Sequence, residues 1–253
     1  MENHLPEEEK AYLDEIVKRL TSYLKDQLVG VYLFGSASYH AYEPGFSDLD
    51  VQAVVKYPLE TFQKEAIIRL LNQDALPCPA TKLEFVIYAQ SSVHPASRHP
   101  RFELNLNTGP RSDHISFDPA NEPSHWFMLD IAMGRKLGLC LYGSALAEAF
   151  GAISRRWILE AIADSLDWHR ANEANSANSV LNACRSWQFI ATGEFSSKSD
   201  GAKWAMKQQD CPIVVERALS ARRTGDKLPA ADVMTLYDMV VRLNRIQIET
   251  DVE

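Results

Sequence analysis

Leu33-Phe34-Gly35-Ser36 is followed after eleven residues by Asp48-Leu49-Asp50, and this stretch decides how the chain is read. Val29 to Phe34 and Leu49 to Val55 are apolar runs of strand length, and Gly35-Ser36 breaks the first of them, so the order is strand, turn, short helix, strand. Tyr42-Glu43-Pro44-Gly45 is the turn into the second strand. Alternation along a strand puts Asp48 and Asp50 on one face, their Cα atoms about 6.6 Å apart. Two hard oxygen donors at that spacing suit Mg²⁺. Gly35 lets backbone N–H groups approach a phosphate, and the helix that Ser36 opens turns its positive end on the same anion. The expected occupant is a nucleotide with its metal ions.

Upstream, Glu7 to Leu28 carries Leu13, Ile16, Val17, Leu20 and Leu24 at helical spacing, with a glutamate run in the first turn that reads as a solvated, dipole-favouring face. Pro58 to Gln73 reads as a second helix. In Lys82-Leu83-Glu84-Phe85-Val86-Ile87-Tyr88, Leu83, Phe85 and Ile87 alternate with Glu84, Val86 and Tyr88. A glutamate that shares a strand face with Val86 and Tyr88 needs a reason, and a place beside Asp48 and Asp50 supplies one. Arg101 to Asn107 is a further strand, while His94 and His99 lie in a Ser/Pro-rich connection too loose for a metal site.

From Glu122 the period becomes helical, with Trp126 to Lys136, Ser154 to His169, Ser179 to Thr192, Ser199 to Gln208, Cys211 to Arg223 and Asp232 to Ile248 as helices. Leu139 to Tyr142 is a short extended exception, and Asp251-Val252-Glu253 reads as a frayed tail. The fold class is therefore α+β: a front domain over 1–150 built on a mixed sheet, then an all-helical domain over 151–253.

Composition narrows the function. The 253 residues are 46% hydrophobic and 24% charged, with a formal charge of -8, as expected of a globular protein whose surface repels a nucleic-acid backbone and tolerates a small cationic substrate. No apolar run reaches the length of a membrane span, and Met1-Glu2-Asn3-His4 is no signal peptide, so the chain reads as cytoplasmic. Cys78, Cys140, Cys184 and Cys211 are spaced as buried free thiols, without a zinc pattern.

Leu33-Phe34-Gly35-Ser36-Ala37 with Ser47-Asp48-Leu49-Asp50, then Leu83-Glu84 with Tyr88 and Gln90, Gly138 to Gly143, and Cys184-Arg185-Ser186-Trp187 with Ser197-Lys198 stand in one order along the chain. In that order they resemble the aminoglycoside (3'')(9) adenylyltransferases, streptomycin and spectinomycin resistance enzymes of the nucleotidyltransferase superfamily related to DNA polymerase beta. The resemblance implies a polymerase-beta-like nucleotidyltransferase domain followed by a helical bundle, acting on ATP and a cationic antibiotic. A site that needs only one chain, with no helix showing a strong self-association face, reads as that of a monomer. The resemblance also implies that Asp48 and Asp50 hold two Mg²⁺ ions and that Gly35 and Ser36 cradle the triphosphate. Glu84 would be the base, and Arg185 and Lys198 would reach the phosphates from the helical domain. Trp168, at the end of its helix beside Asp167 and His169, is a candidate to stack on the acceptor, whereas Trp187, on an apolar stripe, reads as core. Glu173 and Asn178 fall in the segment where the family's streptomycin enzymes bind their acceptor.

One departure bears on the acceptor. The family's streptomycin enzymes carry acidic residues just before the Cys-Arg-x-Trp helix, but here Arg170 to Ser179 has Glu173 as its one carboxylate. Lost charged hydrogen bonds, each about 1.5–3 kcal/mol, favour spectinomycin over streptomycin. A nucleotidyltransferase acting on protein or RNA and a nucleotide-binding module without turnover are the other readings. Intact Asp48, Asp50 and Glu84 speak against the module, and the acidic composition against RNA.

Overall fold

The computed structural model describes residues 5–111 and 113–251. Met1-Glu2-Asn3-His4 and the Val252-Glu253 end of the tail lie outside the described residues. The chain divides into two compact units, Met1–Ile153 and Ser154–Glu253.

In the first unit the order is α1 (Glu7–Leu24), β1 (Leu28–Phe34), α2 (Gly35–Ser38), β2 (Leu49–Val55), α3 (Thr61–Leu71), β3 (Leu83–Ala89), α4 (Gln90–Val93), β4 (Phe102–Thr108), β5 (His114–Ser116), α5 (Ser124–Leu137), β6 (Leu139–Gly143) and α6 (Leu146–Ala149). Among the described residues the strands form one six-stranded sheet of order β5-β4-β3-β2-β1-β6. All its neighbours are antiparallel except β2 and β3, which run parallel and are joined by a crossover through α3.

Alternation sorts the strand residues into two cores. Leu33, Val51, Phe85 and Leu106 pack with Leu13, Ile16 and Leu20 of α1 and Ile67 and Leu71 of α3. On the opposite face Phe34, Val54, Val86 and Tyr88 pack with Phe127 and Ile131 of α5 and with Phe150. Asp50 and Glu84 belong to this second face, because they alternate with Val51 and Phe85.

Several local expectations give way to packing and capping. The first helix ends at Leu24 and a 3₁₀ turn, Lys25–Gln27, leads into β1. α3 begins at Thr61 rather than Pro58, where the Gln63 side chain accepts from the Glu60 N–H at 2.9 Å. Of the early glutamates, Glu7 and Glu8 are exposed, but Glu9 is buried and accepts a 2.7 Å hydrogen bond from the Tyr42 hydroxyl. The cysteines are free, yet Cys140 is exposed and only Cys78 and Cys184 are buried. β5 has three residues, too short for its alternation to show in the sequence.

The second unit is helical: α7 (Arg155–Asn172), α8 (Ala177–Thr192), α9 (Lys198–Ala205), α10 (Val214–Thr224) and α11 (Ala230–Thr250). Ser154, Ser176 and Ser197 cap α7, α8 and α9, each side chain accepting a backbone N–H of the first turn. Helix α8 packs against all the others and is correspondingly apolar, with Val180, Leu181, Cys184 and Trp187 buried. Trp187 meets Trp204 edge-on at 5.4 Å, so it is core. Among the described residues no helix is long and apolar enough to cross a membrane.

Candidate active site

The first unit gathers the front-half candidates at one end of its sheet. Parallel pairing sets Asp50 opposite Glu84, and the next strand sets Asn107 opposite Glu84. The Asp50 and Glu84 carboxyls are close enough for Glu84 to help raise the Asp50 pKa. Asp48 stands one residue before β2. Gly35 follows β1 directly at φ +60°, and a Cβ there would stand 1.7 Å from Asp50 Oδ2. No other residue lets that backbone lie against that carboxylate. The helix begun by Gly35-Ser36 is a single turn, so any anion there is met by local N–H groups and not by a macrodipole.

Two side chains preceding Glu84 complete the arrangement. Thr81 Oγ1 donates to Asp48 Oδ1 and to Ser47 O, the latter at 3.0 Å. Lys82 Nζ lies 3.8 Å from Asp48 Oδ2 and in hydrogen-bond contact with Glu84 Oε1. Burial opposes the charge of Lys82, but Glu84, Asp48 and Asp50 outweigh it and hold the ammonium above its ordinary range. Burial pushes the Asp50 carboxyl well up, helped by the negative charges of Glu84, Asp130 of α5 and Asp48.

Among the described residues no group of three or more His, Cys, Asp or Glu is arranged to hold a metal ion. Mg²⁺ does not require one, since it is commonly bound through one or two carboxylates together with substrate phosphates and water. Asp48 and Asp50 fit that use, and the negative charges of Glu84, Asp130 and Asp48, which add to burial in raising the Asp50 pKa, are an excess that a divalent cation would relieve.

The second unit brings together the remaining candidates. At the α7–α8 turn the Glu173 carboxylate accepts from His169 Nδ1 at 3.0 Å and Asn178 Nδ2 at 2.8 Å. These bonds, set against burial, lower its pKa to about 2. Asn178 Oδ1 accepts from Lys198 Nζ at 2.7 Å, so Glu173, Asn178 and Lys198 form one chain of contacts. Trp168, half-buried, meets His169 edge-on at 5.1 Å. Arg185 is half-buried two turns beyond Asn178 on α8, and Gly201 lets α9 approach it: a Cβ there would be 2.7 Å from Arg185 Cα.

Residues 148–242 match the family model described as the C-terminal domain of aminoglycoside adenylyltransferase. A spectinomycin 9-adenylyltransferase of Staphylococcus aureus is 28% identical over 191 residues, 71% of either chain. This chain is thus similar to aminoglycoside adenylyltransferases. A Campylobacter jejuni spectinomycin 9-adenylyltransferase is 24% identical over 201 residues, 77% of either chain. The solved structure of an Enterococcus spectinomycin adenyltransferase, AAD(9), with ATP and spectinomycin superposes with a TM-score of 0.66. It covers 93% of this chain and 99% of its own at 21% identity, so the fold is shared. The α+β class, with its mixed sheet and helical second unit, is accordingly shared with that structure.

Sequence reading passed over Thr81, Lys82 and Asp130. Lys82 left a signal, since it alternates with Glu84 about Leu83 and so must share its face. Asp130 left none, because its nearness to Asp50 depends on where α5 settles on the sheet.

Proposed function

We propose that this chain transfers AMP from ATP to a hydroxyl of an aminocyclitol antibiotic, spectinomycin, and releases pyrophosphate. The observation that carries the reading is the register that sets Glu84 beside Asp50, with the Gly35 backbone against the same carboxylate. It gives a base next to a metal-binding pair and an anion-binding turn, which a binding module does not need. The relatives' activity on spectinomycin supports the choice of acceptor.

In this reading Glu84 accepts the proton of the acceptor hydroxyl, and that oxygen attacks the α-phosphorus of ATP. The bond to the β-phosphate oxygen breaks, and pyrophosphate departs. Gly35 and Ser36 orient the triphosphate. Mg²⁺, when bound at Asp48 and Asp50, supplies charge stabilisation at the transferring phosphoryl group and its departing oxygen. Arg185 and Lys198 are the residues of the second unit proposed to bind the nucleotide through their positive charge, with Lys198 held by Asn178. Trp168 and Asn178 serve the acceptor. The one carboxylate of that segment, Glu173, is tied to His169 and Asn178, which leaves little to grip a strongly cationic acceptor and favours spectinomycin over streptomycin.

Cells expressing the chain are expected to resist spectinomycin and to remain sensitive to streptomycin. Glu84→Ala should abolish protection while the purified variant still binds ATP. Protection from neither drug would move the proposal to another acceptor, and full protection by Glu84→Ala would remove Glu84 as the base.

A further inference from the structure

Lys82 has no place in the mechanism above, yet it touches two of its carboxylates. We infer that Lys82 is a built-in counter-ion that competes with the divalent metal for this cluster and keeps Glu84 engaged until the metal arrives. The inference rests on reading Asp48 and Asp50 as the metal ligands. Lys82 and Glu84 share a strand face, and the ammonium bridges from Glu84 Oε1 toward Asp48 Oδ2, 3.8 Å away. Asp48 is held for this contact by Thr81 on its other oxygen.

The side chains of Lys82, Asp48 and Glu84 are 41%, 33% and 34% exposed, so the ammonium can swing into solvent without opening the fold. A divalent cation at Asp48 would face Nζ across the same carboxylate, and like charges at such range repel strongly. Departure of Lys82 would also release Glu84 Oε1, the oxygen a hydroxyl proton needs. Metal occupancy and availability of the base are thereby coupled through one side chain. This makes Lys82 a positioning residue, acting through Asp48 and Glu84.

The test is calorimetric titration of Mn²⁺, without nucleotide, into the full chain and its Lys82→Met, Lys82→Arg and Asp50→Asn variants, with thermal melts of each. Lys82→Met should bind Mn²⁺ roughly tenfold more tightly than the wild type, as expected when a nearby like charge is removed. Its metal-free form should melt at a lower temperature and recover with Mn²⁺, while Lys82→Arg should behave as the wild type. Unchanged or weaker Mn²⁺ binding by folded Lys82→Met overturns the inference, and Lys82→Gln serves in its place if that variant does not fold. Equal binding by the wild type and Asp50→Asn would instead overturn the metal assignment, a result distinct from the first.

Discussion

At Gly35 two demands fall on one residue, a positive φ and a backbone in contact with Asp50. Gly35→Ala separates their consequences. A left-handed alanine costs roughly 1–2 kcal/mol, a melting shift of only a few degrees for a chain of this size. The new Cβ would also displace the end of the Asp50 side chain, which can move, so the fold survives and the site does not. Melting together with an AMP-transfer assay should show a small loss of stability and at least about a 100-fold loss of kcat/KM. Gly35, Asp48, Asp50 and Glu84 were all legible in the sequence, because turn chemistry and period two are local rules. Asp130 was not, since no local rule fixes the seat of a helix on a sheet.

Among elements, the parallel β2–β3 pair matters most, because its register sets Asp50 opposite Glu84 across an intervening helix. Face was readable from alternation, but the strand order and the parallel pairing were not, since both depend on long-range packing. The α7–α8 turn makes a separate prediction. Glu173 has its pKa depressed from 4.5 to about 2, so its charged form is favoured in the folded chain. Its stabilisation is therefore complete above about pH 5 and lost as pH falls through the interval toward 2. Denaturant unfolding of the wild type and Glu173→Gln should differ most above that interval and converge within it. A difference that persists unchanged at low pH would show that the carboxylate charge is not what ties the turn.

For the molecule as a whole, the α+β class was legible in the change from strand to helical period. The compact units of the structure are Met1–Ile153 and Ser154–Glu253. The acceptor was far less legible: one carboxylate in a short segment carries little information until its partners are known. The net charge of -8 belongs to this scale. If the acceptor is cationic, raising salt should lower kcat/KM for it several-fold, chiefly through association, because exposed charges are screened beyond about 10 Å at 0.1 M. An unchanged kcat/KM would mean that the overall field does not guide the acceptor. The crossover between β2 and β3 has a further consequence. Its helix α3 packs on the sheet face opposite Asp50 and Glu84, and its turn at Asp74 is exposed. Extra length at that turn extends into solvent, whereas one residue inserted between Leu83 and Glu84 would turn Glu84 toward the apolar core. Asp74 is thus the natural point of attachment for a fluorescent reporter that must leave turnover untouched.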